Sequence, residues 1–203
     1  MRQTSAEIDH AILDVAAGIF ATHGYAHSSV QQIADAVGYS KPGLLHRFGS
    51  KEALYRAVLA EVGDTVRDVV ELAEQHAGSH EQLSRVMERI TRRALDRPGM
   101  VRMMLRAFDP NAQDPGLEDI QGSAYRLVDA LDRPMSTPAE RLRIVLGIEL
   151  IVTAAMTQHS RVDTDLHVPT SELVPLLVSL ATHVVAGPVT AMSPALDVTS
   201  RRA

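Results

Sequence analysis

Ser28, Ser29, Ser40 and Ser50 stand at the openings of short apolar-periodic runs. The only two lysines of the chain, Lys41 and Lys51, each directly follow one of these serines. A serine at a helix start satisfies one orphan backbone N–H and leaves others pointing outward. Such an end carries partial positive charge and takes an anion, and a compact ammonium beside it strengthens the grip on a phosphate oxygen. Residues 28–56 hold four cations, Lys41, Arg47, Lys51 and Arg56, against Asp35 and Glu52, in a chain whose formal net charge is −5. The pattern describes a small cationic surface for phosphates on an otherwise acidic protein.

Other chemistries find no support. Cysteine is absent, which excludes disulfides, thiolate nucleophiles and cysteine-ligated metals. There is no G-x-S-x-G elbow, phosphate-binding P-loop or dinucleotide fingerprint, so no enzyme and no cofactor is expected. His76 and His80 have the spacing of a helical metal pair, but Gly78-Ser79 interrupts the helix between them. His159, Asp163, Asp165 and His167 are richer in ligand types, yet they belong to a polar loop where solvation is the default. No metal site is expected; a metal-binding protein using the 159–167 loop is a minor alternative.

The elements that must position the serines and lysines follow from periodicity. Ile8, Ile12, Val15, Ala16, Ile19 and Phe20 form one helical face, ended by Gly24 where a left-handed cap would sit. Ser28 and Ser29 each have a glutamine three residues on, so either can open the next helix with a capping box. That helix turns Val30, Ile33, Ala34 and Val37 inward and stops at Gly38. Ser40 caps a third, Lys41–Phe48, with Pro42 in its first turn where a missing N–H does no harm. Ser50 caps a fourth, long helix whose stripe runs Leu54, Val58, Val62, Val66, Val69 and Ala73. Two short helices around a tight turn, with a supporting helix on either side, make a helix-turn-helix at 28–47. Ile33, Val37, Leu44 and Phe48 are expected to form its core.

Five more helices follow: one carrying Leu83 to Ala94, then Met100–Phe108, then Leu117 to Leu131, then 138–159, capped by Thr137 with Glu140, and Leu173–Val185, whose first turn Pro175 should end or kink. The last two are apolar on nearly every side. A helix of that kind is covered all round, either centrally in a core or across a subunit interface, and the interface is the favoured reading. The fold class is therefore all-α with about nine helices: a helix-turn-helix domain over 5–65, a larger helical ligand-binding and dimerisation domain over 66–186, and an aperiodic tail over 187–203. With 203 residues, 45% hydrophobic and 22% charged, the chain has the balance of an ordinary globule. The polar start MRQTSAEIDH lacks a signal-peptide core and no run is long enough to span a bilayer, so a soluble, cytoplasmic protein without membrane contact is expected.

The run Ile12-Leu13…Ala17…Phe20…Gly24-Tyr25…Ser29-Val30…Ile33-Ala34…Gly38…Ser40-Lys41…Leu44…His46…Phe48…Ser50-Lys51-Glu52…Leu54 resembles the N-terminal domain of tetracycline-repressor (TetR) family regulators. It covers roughly Glu7 to Val58. The resemblance implies a homodimer on a two-fold DNA operator, an inducer-binding C-terminal domain, and a dimer interface on the last two long helices, about 138–159 and 171–186. Family members usually carry tyrosine at the position of Leu45 and glycine-threonine at Pro42-Gly43. On this reading Tyr39, Ser40, Lys41, Gly43, Leu44 and His46 face DNA, and Ser28, Ser29, Gln31 and Lys51 take phosphates; Leu44 is thus assigned both to the core and to the groove. Met100, Met103, Met104, Phe108, Tyr125, Met156 and His159 are candidates for an inducer pocket, because methionine adapts to irregular ligands. The whole implies a repressor released by a small molecule; an adaptor that dimerises without an inducer is the alternative.

Overall fold

The computed structural model describes residues 4–77, 79, 81–106, 108–109, 111–132, 137–159 and 167–187. Among these, nine helices and no strand are present: α1 (Ser5–His27), α2 (Val30–Val37), α3 (Lys41–Phe48), α4 (Lys51–Gln75), α5 (Gln82–Asp96), α6 (Pro98–Arg106), α7 (Glu118–Leu131), α8 (Pro138–His159) and α9 (Thr170–Ala186). His80, Asp163, Asp165 and the 188–203 part of the tail lie outside the described residues.

Thr4 opens α1 with a capping box, its hydroxyl accepting from Glu7 N at 3.2 Å and the Glu7 carboxylate accepting from Thr4 N at 2.6 Å. Gly24 is a kink rather than an end. Its φ of 76° breaks the ladder, and one further turn runs to His27 before the chain extends at Ser28. Phe20, Ile33, Leu44 and Leu54 then meet in one core, so α1, α2, α3 and the start of α4 form a head. Because α4 continues unbroken to Gln75, the expected boundary between 65 and 66 falls inside a helix.

The head joins the body mainly through α1 and α6. Gly99 sits so close to α1 that a Cβ there would lie 1.9 Å from Asp14 O and 3.0 Å from Gly18 N. Asp14 accepts the Met100 N–H at 2.9 Å and so caps α6 from a distant element. This is why α6 begins at Pro98 rather than at Met100, as the local pattern suggests. At the other end Phe108 lies beyond the helix, which stops at Arg106.

In the body, α8 and α9 pack through Gly147, where a Cβ would stand 2.8 Å from Val185 Cγ2. Arg143 donates to the last carbonyls of α9, Nε to Val184 O and Nη2 to Gly187 O, both at 2.6 Å. Pro175 is tolerated inside α9, which starts at Thr170, three residues earlier than the apolar run. One face of this pair stays open. Leu142 is 55% and Leu180 45% exposed, with Leu146 and Leu176 beside them, so the all-round cover expected of these helices is incomplete within one chain.

Gly99→Ala is expected to lower stability by about 3 kcal/mol or more, since backbone must part to admit the methyl. The gain in helix propensity, about 1 kcal/mol, is too small to offset it. Urea unfolding checks this; an unchanged midpoint would contradict the close approach.

Candidate nucleic-acid interface

Three serine caps fix the head. Ser29, not Ser28, opens α2: its Oγ accepts from Gln32 N at 3.1 Å while Gln32 Oε1 accepts from Ser29 N at 2.9 Å. Ser40 Oγ accepts from Gly43 N at 3.1 Å to open α3, and Ser50 Oγ from Ala53 N at 3.0 Å to open α4. Gly38, left-handed at φ 73°, closes α2 and lets Tyr39 N return to Ala34 O at 2.8 Å. Gly49 at φ 82° closes α3, its N–H donating to Leu45 O at 2.7 Å. An eight-residue helix is thus held between two tight turns, with its outer side free.

The expected contact residues divide. Ser29, Gln31, Tyr39, Ser40, Lys41 and His46 are exposed on the α2–α3 surface, and Gly43 is half-buried beneath Ser40 Oγ. Gln31 donates to Asp35 Oδ1 at 2.7 Å, which stiffens it along α2. Lys51 is half-buried, its Nζ 4.4 Å from the centre of the Tyr25 ring, a cation–π contact that leaves it near the start of α4. Two assignments are corrected. Leu44 is 1% exposed because it plugs the core between the helices, so it cannot face a groove. Ser28 is 4% exposed and its hydroxyl donates to Gly24 O at 2.7 Å, which ties down the α1 kink and withdraws it from phosphate.

Arg47 is also withdrawn. It pairs with Asp9 through Nε and donates through Nη2 to Ser5 O at 2.7 Å, locking α3 onto the first turns of α1. Arg56 lies 4.0 Å from Glu52 on the exposed face of α4. Among the described residues of the head, the outward lysines and arginines are therefore Lys41, Lys51 and Arg56.

Beneath the surface, Phe20, Tyr25 and Tyr55 cluster, with Phe20 and Tyr55 edge-on at 4.9 Å. The Tyr55 hydroxyl is buried without a hydrogen-bond partner among the described residues, and burial, followed by the Asp114 charge, raises its pKa. Asp114, in the segment after α6, accepts from Tyr25 N at 2.6 Å and from Arg106 Nε. Arg97 pairs with Glu61 of α4 and donates to His10 O of α1 at 3.0 Å. The head therefore touches α6 and its flanks at three polar points: Asp14, Asp114 and Arg97. Tyr25 and Asp114 carry no local sequence signal, since they pair across the fold.

The inducer candidates do not converge. Met100, Met103 and Met104 are packed in the core, while Met156 is half-buried and His159 exposed, its Nδ1 2.8 Å from Ala155 O. Phe108 and Tyr125 stack edge-on at 5.8 Å, but Tyr125 is 53% exposed. A concavity of about 710 Å³ lies instead between α5 and α9, bordered by Glu88, Arg92, Val178, Thr182 and His183 and by none of those seven residues. Among the described residues no group of three His, Asp or Glu is placed to hold a metal ion, and no helix is long and apolar enough to cross a membrane.

Residues 12–58, which hold α2, α3 and most of α1, match the family described as bacterial regulatory proteins, tetR family. Over 54 residues the chain is 46% identical to the transcriptional regulator RutR of Escherichia coli K12, a stretch covering 27% of this chain and 26% of RutR. Over 59 residues it is 37% identical to the transcriptional repressor AcnR of Corynebacterium glutamicum, 29% of this chain and 31% of AcnR. The aligned stretch thus spans about a quarter to a third of these relatives. Across 92% of its length the fold resembles the crystal structure of a TetR-like transcriptional regulator from Rhodococcus sp. RHA1, covering 100% of that chain at 22% identity and a TM-score of 0.55.

Asp14 supplies a pH test of the join between head and body. Desolvation raises its pKa above the ordinary 3.8, outweighing the lowering by the α6 amides. The folded state thus binds this proton more tightly than the unfolded chain, so the associated stability is present at acid pH and lost as pH rises through the folded pKa. Asp14→Asn keeps an acceptor for Met100 N–H without the charge. Its stability relative to wild type should rise between acid and neutral pH in urea titrations; a difference that does not vary with pH would contradict the assignment.

Proposed function

We propose that this chain, whose N-terminal domain is a member of the tetR family of bacterial regulatory proteins, is a homodimeric DNA-binding repressor released from a two-fold operator by a small molecule. The observation that carries the reading is the α2–Gly38–α3 unit: a short, doubly capped helix whose Lys41 and His46 point outward while Arg47 and Leu44 hold it from behind. In this geometry α3 lies in the major groove, with Tyr39, Ser40, Lys41, Gly43 and His46 toward the bases. Ser29, Gln31 and Lys51 meet the flanking phosphates at the starts of α2 and α4.

Pairing is supported by the open leucine face of α8 and α9, since four exposed leucines on adjacent helices exceed what a lone surface needs. Two α3 helices set roughly 34–36 Å apart would then reach successive major grooves on one side of the duplex. For the inducer, the concavity between α5 and α9 has the volume of a small-molecule site. The buried Met100, Met103 and Met104 are adaptable side chains that a ligand entering near α6 would have to displace, whereas Phe108, Tyr125, Met156 and His159 would act only as separate contacts. Either route acts through α6 on α1, and through the long α4, by favouring one spacing of the two heads over the other.

Anisotropy titration against duplexes from the DNA upstream of the chain's own gene tests the reading, with sedimentation alongside. The chain should sediment at twice 22.0 kDa and bind one site with nanomolar-range affinity. Lys51→Ala should weaken binding to all duplexes and reduce the salt slope by about one. A chain sedimenting at 22.0 kDa, or ignoring every duplex in dilute salt, would contradict the proposal.

A further inference from the structure

The first turn of α3 differs from those of its neighbours in what it offers a ligand. The starts of α2 and α4 leave the N–H groups of Val30 and Gln31, and of Lys51 and Glu52, without an acceptor among the described residues. In α3, Pro42 has no N–H, Gly43 N is used by Ser40 Oγ at 3.1 Å, and Leu44 N by Ser40 O at 2.9 Å. Only Lys41 N remains. This helix end is therefore poor at holding a phosphate. It presents instead the exposed pyrrolidine ring of Pro42, with Gly43 adding no side chain and Leu45 half-buried against the core. His46, one turn on, shares that face.

We infer that the Pro42 ring is a base-reading group: it packs on the C5-methyl of a thymine in the major groove, so each operator half-site requires a thymine there. The inference rests on the proposed entry of α3 into the groove and adds to it a sequence requirement. The ring has neither donor nor acceptor. Laid on the N7 and O6 of guanine, or on the amino group of cytosine or adenine, it would strip water from polar edges and return nothing. The thymine methyl is the one apolar group the major groove displays. The same ring thus favours one base and penalises the others. Polar readout of neighbouring bases falls to Lys41, Tyr39 and His46.

Uracil tests this directly, because it pairs as thymine does and lacks only the methyl. Duplexes are first selected from a random-sequence library by the full chain, and each thymine of the selected site is then replaced singly by uracil. One thymine per half-site should respond, with binding weakened roughly three- to fivefold per methyl removed. Pro42→Gly should bind the thymine and uracil duplexes with equal affinity, and Pro42→Ala, which retains one methyl, should give a smaller ratio than wild type. A wild-type chain that binds its selected duplex but is indifferent to every methyl would overturn the inference and leave the repressor reading standing. So would a methyl sensitivity that persists unchanged in Pro42→Gly. Failure to select any duplex would overturn both.

Discussion

The near-contact of α1 with α6 at Gly18 and Gly99 is the constraint on which the rest of the molecule depends. Helix α1 belongs to the head, where Phe20 and Ile12 fill the core beneath α2 and α3. Helix α6 belongs to the body, where Met103 and Met104 are packed against the other helices. With no side chain between the two backbones at that point, neither helix can shift far without the other. Asp14 then turns proximity into direction by capping α6, and Asp114 repeats the tie one helix end away, gripping Tyr25 N beside the Gly24 kink.

The head itself solves a problem of charge. The chain is acidic overall, yet its proposed partner is a polyanion, so attraction has to be local. Arg47 contributes nothing to it, being neutralised by Asp9, and serves instead to fix α3 in place. What faces outward among the described residues is the two lysines, Arg56, and the partial charges of the α2 and α4 N-termini. On the proposed reading, a surface of this kind meets a duplex backbone at few points, so its affinity would fall only shallowly as salt rises.

Most of the head was legible because its signals are local. A serine with its partner three residues on, a glycine where the chain must turn left-handed, and apolar residues at three and four all act within one turn of helix. Legibility failed where contacts cross the fold. Nothing near Ser28 says that its hydroxyl turns back on Gly24 rather than outward, and Leu44 could be assigned both inward and outward until a core surrounded it. Arg47 and Asp9 are 38 residues apart, Tyr25 and Asp114 are 89 apart, and such pairs have no periodicity. The methionines are ambiguous for the same reason: Met100, Met103 and Met104 read alike as pocket or as packing, and all three are buried. The α8 and α9 pattern was informative but incomplete, since it announces greasy faces without saying which of them the chain itself will cover.

Native-state amide hydrogen exchange measures most directly whether head and body open as one through this join. The amides of Met100 and Tyr25, each held by a carboxylate from the other side, should exchange only with the cooperative opening that releases the buried core of α1. Rapid exchange at these two sites while the cores of head and body stay protected would show two independent units, and the coupling would fail with it.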